Sequence, residues 1–138
     1  MARSKAILIV DDNPQYTLLL RRILGNGFGY RNITAAETTE EAYRLIAESP
    51  HRYQLVFVDY RFPEGTTGGE LLARLKRENL MESRVAFLVT SEPTVDNQRE
   101  ALNAGARGVV AKPFTRDCIE QQLQKVERLL KLDTHDQF

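Results

Sequence analysis

Asp11, Asp12, Asp59, Thr90 and Lys112 stand directly after short apolar runs. Asp11-Asp12 follows Ile7-Leu8-Ile9-Val10, and Asp59 follows Leu55-Val56-Phe57-Val58. Thr90 follows Val85-Ala86-Phe87-Leu88-Val89, and Lys112 follows Val109-Val110-Ala111. Carboxylates gathered at one place repel each other, and such a site is tolerable only if a cation neutralises it. Oxygen ligands suit a hard ion, and Mg²⁺ uses one or two carboxylates while keeping several waters. No His or Cys stands beside these runs, which argues against zinc. Lys112 adds a fixed positive charge and Thr90 a hydroxyl donor. A cation, a lysine and a hydroxyl around a carboxylate are what holding a phosphoryl group requires, and an aspartate can act as nucleophile to form an acyl phosphate. Catalysis of that kind is mostly positioning and charge neutralisation. Taken singly, each residue has a bland role: Asp11-Asp12 and Asp59 as caps, Thr90 and Lys112 as surface residues.

Whether they meet depends on the elements that carry them. The four runs are rich in β-branched residues and do not alternate with polar ones, as in strands covered on both faces of a parallel sheet. A weaker run, Asn32-Ile33-Thr34-Ala35-Ala36, half alternates and reads as an edge strand. Helical patterns separate the runs. Asn13 and Pro14 open the first, with Leu19, Leu20, Ile23 and Leu24 on one face and Gly25 and Gly27 marking its end. Thr38-Thr39-Glu40-Glu41 and Thr67-Gly68-Gly69-Glu70 both have capping-box spacing. The stretch 95–104 is weakly apolar and closed by Gly105, and the last helix begins near Arg116 with Ile119, Leu123, Val126 and Leu130 on one face. The order is β-α five times, which predicts an α/β doubly wound sheet with helices on both faces. In open sheets of this kind ligands bind outside the carboxyl ends of the strands, where all five residues fall.

Composition bounds the partners. The chain has 138 residues, 19 basic and 19 acidic, with zero formal net charge. That argues against direct nucleic-acid binding through a broad basic surface. One cysteine, Cys118, excludes an internal disulfide framework. No apolar run reaches the roughly 20 residues of a membrane helix, and Ala6-Ile7-Leu8-Ile9-Val10 is too short for a signal-peptide core. The expectation is a cytoplasmic protein with no membrane partner. It is read as one domain over 1–132 and a short tail over 133–138, with no room for a separate effector. No clear apolar patch calls for more than a monomer or weak dimer.

The ordered set of motifs resembles the receiver domain of two-component response regulators. It rests on Ile-Leu-Ile-Val-Asp11-Asp12, Leu-Val-Phe-Val-Asp59, Phe-Leu-Val-Thr90-Ser91 and Gly105-Ala-Arg-Gly-Val-Val-Ala-Lys112-Pro113-Phe114. The resemblance, to the single-domain chemotaxis-regulator type in length, spans about Lys5 to Lys131. It implies a flavodoxin-like (βα)5 fold with strand order 2-1-3-4-5. It implies that Asp59 takes a phosphoryl group from phosphohistidine on a sensor histidine kinase or histidine phosphotransfer protein. Asp12 would ligate Mg²⁺ directly, Asp11 through a water, and Arg61 through its backbone carbonyl. Thr90 and Lys112 would bind phosphoryl oxygens, and the Lys112-Pro113 bond would be cis. The helix over 95–104, the strand Val109-Val110-Ala111 and the last helix would form the face that a downstream protein target or effector domain reads. The implied role is a signalling switch that assists its own phosphorylation and slow dephosphorylation, not an enzyme acting on other substrates.

The chain departs from the family pattern in places. Val109 stands where the family has a switch aromatic, and Tyr60 does not obviously replace it. The loop after Asp59, Tyr-Arg-Phe-Pro63-Glu-Gly-Thr-Thr67-Gly68, lacks the usual aspartate before the glycine. Arg61 and Glu92 carry opposite charges at positions that in the family flank the path of the hydrolysing water; either they meet over the site and slow loss of the phosphoryl group, or they are two solvated loop charges. Two other readings compete. A phosphorylation-independent binding module on the same fold tends to lose acidic-pocket residues, which this chain keeps. An aspartate-nucleophile phosphohydrolase of the haloacid dehalogenase type needs a carboxylate two residues after the nucleophile, where Arg61 stands.

Overall fold

The inner strands are apolar on both sides because both sides are covered. In the computed structural model, which describes residues 3–134, alternate residues of the first strand enter different cores. Ala6, Leu8 and Val10 join one core, and Ile7 and Ile9 the other. The elements run β1 (Arg3–Val10), α1 (Pro14–Arg22), β2 (Tyr30–Ala36), α2 (Thr39–Glu48), β3 (Tyr53–Val58), α3 (Gly68–Arg77), β4 (Val85–Thr90), α4 (Val95–Asn103), β5 (Gly108–Ala111) and α5 (Arg116–Thr134). All pairings are parallel and the sheet order is β2-β1-β3-β4-β5, the expected 2-1-3-4-5. One face packs on Ala42 and Ile46 of α2, Leu71, Leu72 and Leu75 of α3, and Ala101 of α4. The other packs on Leu20 of α1 and Ile119 and Leu123 of α5. Each of these leucine and isoleucine side chains contributes about 1.5–3 kcal/mol on burial, so two full layers hold the strand ends in place. Val126 and Leu130 lie outside the residues whose burial is described, as do 135–138 of the expected tail.

The first helix does not stop at Gly25. It passes into a five-residue π-helical segment, Ile23–Gly27. Leu24 is fully buried there and Ile23 packs on the same core. The wider turn carries both inward, and their burial outweighs the penalty of about 1 kcal/mol for glycine in a helix. The capping expectations divide. Thr67 and Glu70 form the complete reciprocal box at the start of α3. At α2, Thr38 Oγ1 accepts from Glu41 N–H, but Glu41 Oε1 accepts from Glu37 N–H rather than from the cap residue. Gly105, at φ +103°, turns the chain out of α4 as expected.

The start of α3 presses against the strand that ends in Asp59. Gly68 N–H donates to the Tyr60 carbonyl at 2.7 Å. A Cβ on Gly68 would lie 2.0 Å from the Asp59 carbonyl oxygen and 3.1 Å from Val58 Cγ2. Backbone cannot yield as a flexible side chain can. Gly68→Ala is therefore expected to lower stability in urea unfolding by about 1–3 kcal/mol, the usual range for overpacking; an unchanged midpoint would show that this contact is soft.

Candidate functional site

The sheet's hydrogen bonding continues one residue past the strands and so sets the site. Asp11 N–H donates to the Ala36 carbonyl at 3.0 Å, Asp59 N–H to Val10 at 2.9 Å, and Lys112 N–H to Thr90 at 2.8 Å. Backbone position at the carboxyl edge is thereby fixed to the neighbouring strand for each of the three.

The side chains converge from there. Lys112 Nζ lies 2.7 Å from Asp11 Oδ2 and 3.0 Å from Asp59 Oδ2, and the lysine side chain is only 4% exposed. Its ammonium also sits 4.2 Å from the centroid of the Tyr16 ring, a cation–π contact. Tyr16 in turn packs on Phe114, with centroids 5.7 Å apart. The Lys112-Pro113 peptide is cis. Asp11 spends its other oxygen, Oδ1, on Asn13 N–H at 2.9 Å, and Asp59 Oδ1 accepts from Tyr60 N–H at 2.7 Å. Asp12 is exposed and, among the described residues, has no hydrogen bond or ion pair. Thr90 is buried at the end of β4, and its Oγ1 accepts from Glu92 N–H at 2.9 Å. That bond uses an oxygen lone pair and leaves the hydroxyl proton available.

The electrostatics follow from burial. Burial pushes the Asp59 carboxyl above the ordinary aspartate range, and the Lys112 hydrogen bond and charge offset only part of that rise. Burial works the other way on Lys112, but its bonds to Asp11 and Asp59 outweigh it and hold the ammonium above the usual lysine value. Lys112 stays charged, and Asp59 becomes the weaker acid of its type. Oxygen atoms of Asp11, Asp12 and Asp59 all lie within 4.8 Å of one another. One lysine against three carboxylates leaves negative charge over. An all-oxygen donor set with residual negative charge and an exposed, unengaged Asp12 fits a hard divalent cation.

Arg61 and Glu92 meet, with Nε to Oε2 at 2.6 Å. The pair is exposed, so it adds little to stability; what it does is span from the β3–α3 loop to the β4–α4 loop. The main chain of Arg61 forms an antiparallel bridge with Thr67. Between them Gly65 N–H donates to the Phe62 carbonyl at 3.0 Å, with Gly65 at φ +91°. Val109 packs against the core on the α2–α4 face. Burial and a hydrogen bond to Glu100 hold the Tyr60 phenol above its ordinary pKa. Tyr16 was not legible as part of the site. Its only signal is an aromatic in the first turn of the helix that follows Asp11-Asp12. Cys118 is exposed and apart from these residues.

The fold and site together form a flavodoxin-like parallel sheet with acidic residues and a lysine gathered at its carboxyl edge. The chain belongs to the response regulator receiver domain family, whose sequence model matches residues 7–124. It is 28% identical over 120 residues to the chemotaxis protein CheY of Pseudomonas aeruginosa, covering 87% of this chain and 94% of that one. It is 32% identical over 124 residues to the phosphate regulon transcriptional regulatory protein PhoB of the same organism, covering 90% of this chain. The match spans only about half of that regulator, 52% of its length. A response regulator receiver domain protein from Clostridium thermocellum superposes with a TM-score of 0.81 at 21% identity, over 94% of this chain and 98% of that one. The protein is thus a CheY-like receiver domain of a two-component response regulator, and receiver domains are signalling switches. No helix among the described residues is long and apolar enough to cross a membrane.

The raised Asp59 pKa makes a prediction about stability without metal. Below its unfolded value near 3.8 the carboxyl is protonated in both states and its ionisation costs nothing. As pH rises through the higher folded value, ionisation destabilises the fold. Asp59→Asn is therefore expected to be more stable than wild type in chelator, by a margin that grows as pH rises from the unfolded value through the raised folded one and stays constant above it. Urea midpoints across that range check it; parallel curves for the two proteins would contradict the shift.

Proposed function

We propose that Asp59 is the phosphoacceptor of this receiver domain, taking a phosphoryl group from phosphohistidine on a sensor histidine kinase or histidine phosphotransfer protein. The observation that carries the reading is the placement of Lys112 Nζ 3.0 Å from Asp59 Oδ2, with Asp11 and Asp12 beside it. A carboxylate oxygen of Asp59 forms the new O–P bond while the P–N bond to the donor imidazole breaks, and the departing nitrogen takes up a proton. Lys112, already held beside Asp59 by Asp11 and the Tyr16 ring, would pair with a phosphoryl oxygen from where it stands. The Thr90 hydroxyl, its proton free, donates to another. Asp12, Asp11, Asp59 and the Arg61 carbonyl would hold Mg²⁺, which neutralises the charge that builds on the transferred group.

The output would pass through α4, β5 and α5. Of the α4 residues only Ala101 is buried, so little packing opposes a change in that helix. The reader of that face would be a downstream protein or an effector domain. The domain is taken as 1–132, with 133–138 as a tail whose first two residues, Asp133 and Thr134, continue α5.

Treatment with acetyl phosphate and Mg²⁺ is expected to add one phosphoryl group by intact mass, with no adduct in chelator and none in Asp59→Asn. Absence of any adduct would instead favour a binding module, and sustained hydrolysis of a phosphate ester a hydrolase. The Arg61–Glu92 pair, which joins the loop after β3 to the loop after β4, is assigned to slowing dephosphorylation. Replacing both residues by alanine should shorten the lifetime of the adduct several-fold, and an unchanged decay rate would remove that assignment.

A further inference from the structure

Tyr60 touches the site through its backbone and α4 through its side chain. Its N–H donates to Asp59 Oδ1 at 2.7 Å. Its ring is buried in the core on the α2–α4 face, and its hydroxyl donates to Glu100 Oε1 at 2.8 Å, 40 positions along the chain. A buried ring has few positions to occupy, so the hydroxyl is well placed. Glu100 is placed as well. A Cβ on Gly69 would lie 2.4 Å from Glu100 Oε2, so the carboxylate occupies room that the bare glycine leaves on α3. A hydrogen bond from a phenol to a carboxylate is charge-assisted and stronger than a neutral one. It acts on a helix that is otherwise tied to α3 at its far end, where Lys76 Nζ donates to the Asn103 carbonyl at 2.7 Å; Ala101 is the buried residue of α4, and Val95, Asp96 and Arg99 are exposed. At position 109 valine has no ring or hydroxyl that could make an equivalent bond.

We infer that Tyr60 and Glu100 are positioning residues that couple the Asp59 carboxylate to α4. The regulatory sense of this rests on the phosphoacceptor reading of Asp59, but the coupling is a property of the unmodified chain. An acyl phosphate is a weaker hydrogen-bond acceptor than a carboxylate, so modification of Asp59 loosens the bond to Tyr60 N–H. A change in the Tyr60 backbone moves the ring, and α4 receives that movement through Glu100.

Amide hydrogen exchange tests this with Tyr60→Phe, which removes only the hydroxyl, and Glu100→Gln, which removes the charge at nearly constant size. In the unmodified protein each variant is expected to speed exchange in 95–103 several-fold while β1 and α2 stay unchanged, and the double variant to add little to either single. After acetyl phosphate and Mg²⁺, wild type should show altered exchange in 95–103, and Tyr60→Phe less than half that alteration. A merely structural contact would change the unmodified state and leave the response to phosphorylation intact. Unaltered exchange in 95–103 in the unmodified variants overturns the inference. Should Tyr60→Phe loosen the whole fold, Glu100→Gln, altered at the partly exposed end of the contact, decides by the same measure. Failure of wild type to take up a phosphoryl group would defeat the reading of Asp59; the coupling is then decided by Asp59→Asn, which weakens the acceptor for Tyr60 N–H and should alter exchange in 95–103 when Tyr60 is present but not in Tyr60→Phe, whereas equal responses in the two backgrounds would overturn it.

Discussion

The parallel ladder carries on past the last strand residue, and everything at the carboxyl edge depends on that continuation. Asp11, Asp59 and Lys112 each donate their backbone N–H to the end of a neighbouring strand. Side chains alternate along a strand, so a slip of one residue would send each of these groups to the other side of the sheet. The apolar runs forbid that slip, because both faces of β1 and β3 are already committed to separate cores. Packing well away from the site thus sets which way a carboxylate points within it.

The placement brings like charges together, and the surroundings offset this unequally. Asp11 is engaged on both oxygens, by Asn13 and by Lys112. Asp59 shares the same ammonium but stays a weak acid because burial outweighs that help. Asp12 faces solvent with no partner among the described residues. The lysine is itself held on several sides, by two carboxylates and the face of Tyr16. A buried ammonium fixed in this way acts as a rigid charge beside Asp59 and does not have to be reorganised when a further anionic group arrives.

The segment after Asp59 links this edge to the opposite layer. Its narrow turn, bridged from Arg61 to Thr67, leads directly into the capping box of α3. Gly68 lets that helix start against the Asp59 carbonyl, and Gly69 leaves the space that Glu100 fills. Both glycines therefore serve close approach and not an unusual backbone angle. The same pair of threonine and glutamate that starts the helix, Thr67 and Glu70, is legible from spacing alone, whereas the close approach is not.

Strands, their order along the chain and the residues at their ends were legible because hydrophobic period and capping are local codes. The buried strands β1, β3 and β4, the edge strand β2, the box at Thr67 and the turn at Gly105 are all read over a few neighbouring residues; the run Val109-Val110-Ala111 reads the same way but forms the other edge, with Val109 half-buried and Ala111 exposed, because no further strand covers it. The π-helical segment at Ile23–Gly27 was not legible, since the glycines point one way locally and the burial of Leu24 points the other. Nor was the seat of Lys112 on Tyr16, or the reach of Tyr60 to Glu100. These contacts join residues far apart in sequence, and no local rule specifies them. The sequence by itself determined which groups would stand at the carboxyl edge. Only the tertiary structure decided which of them touch, because that depends on how two packed layers bring separate helices and loops over the same strand ends.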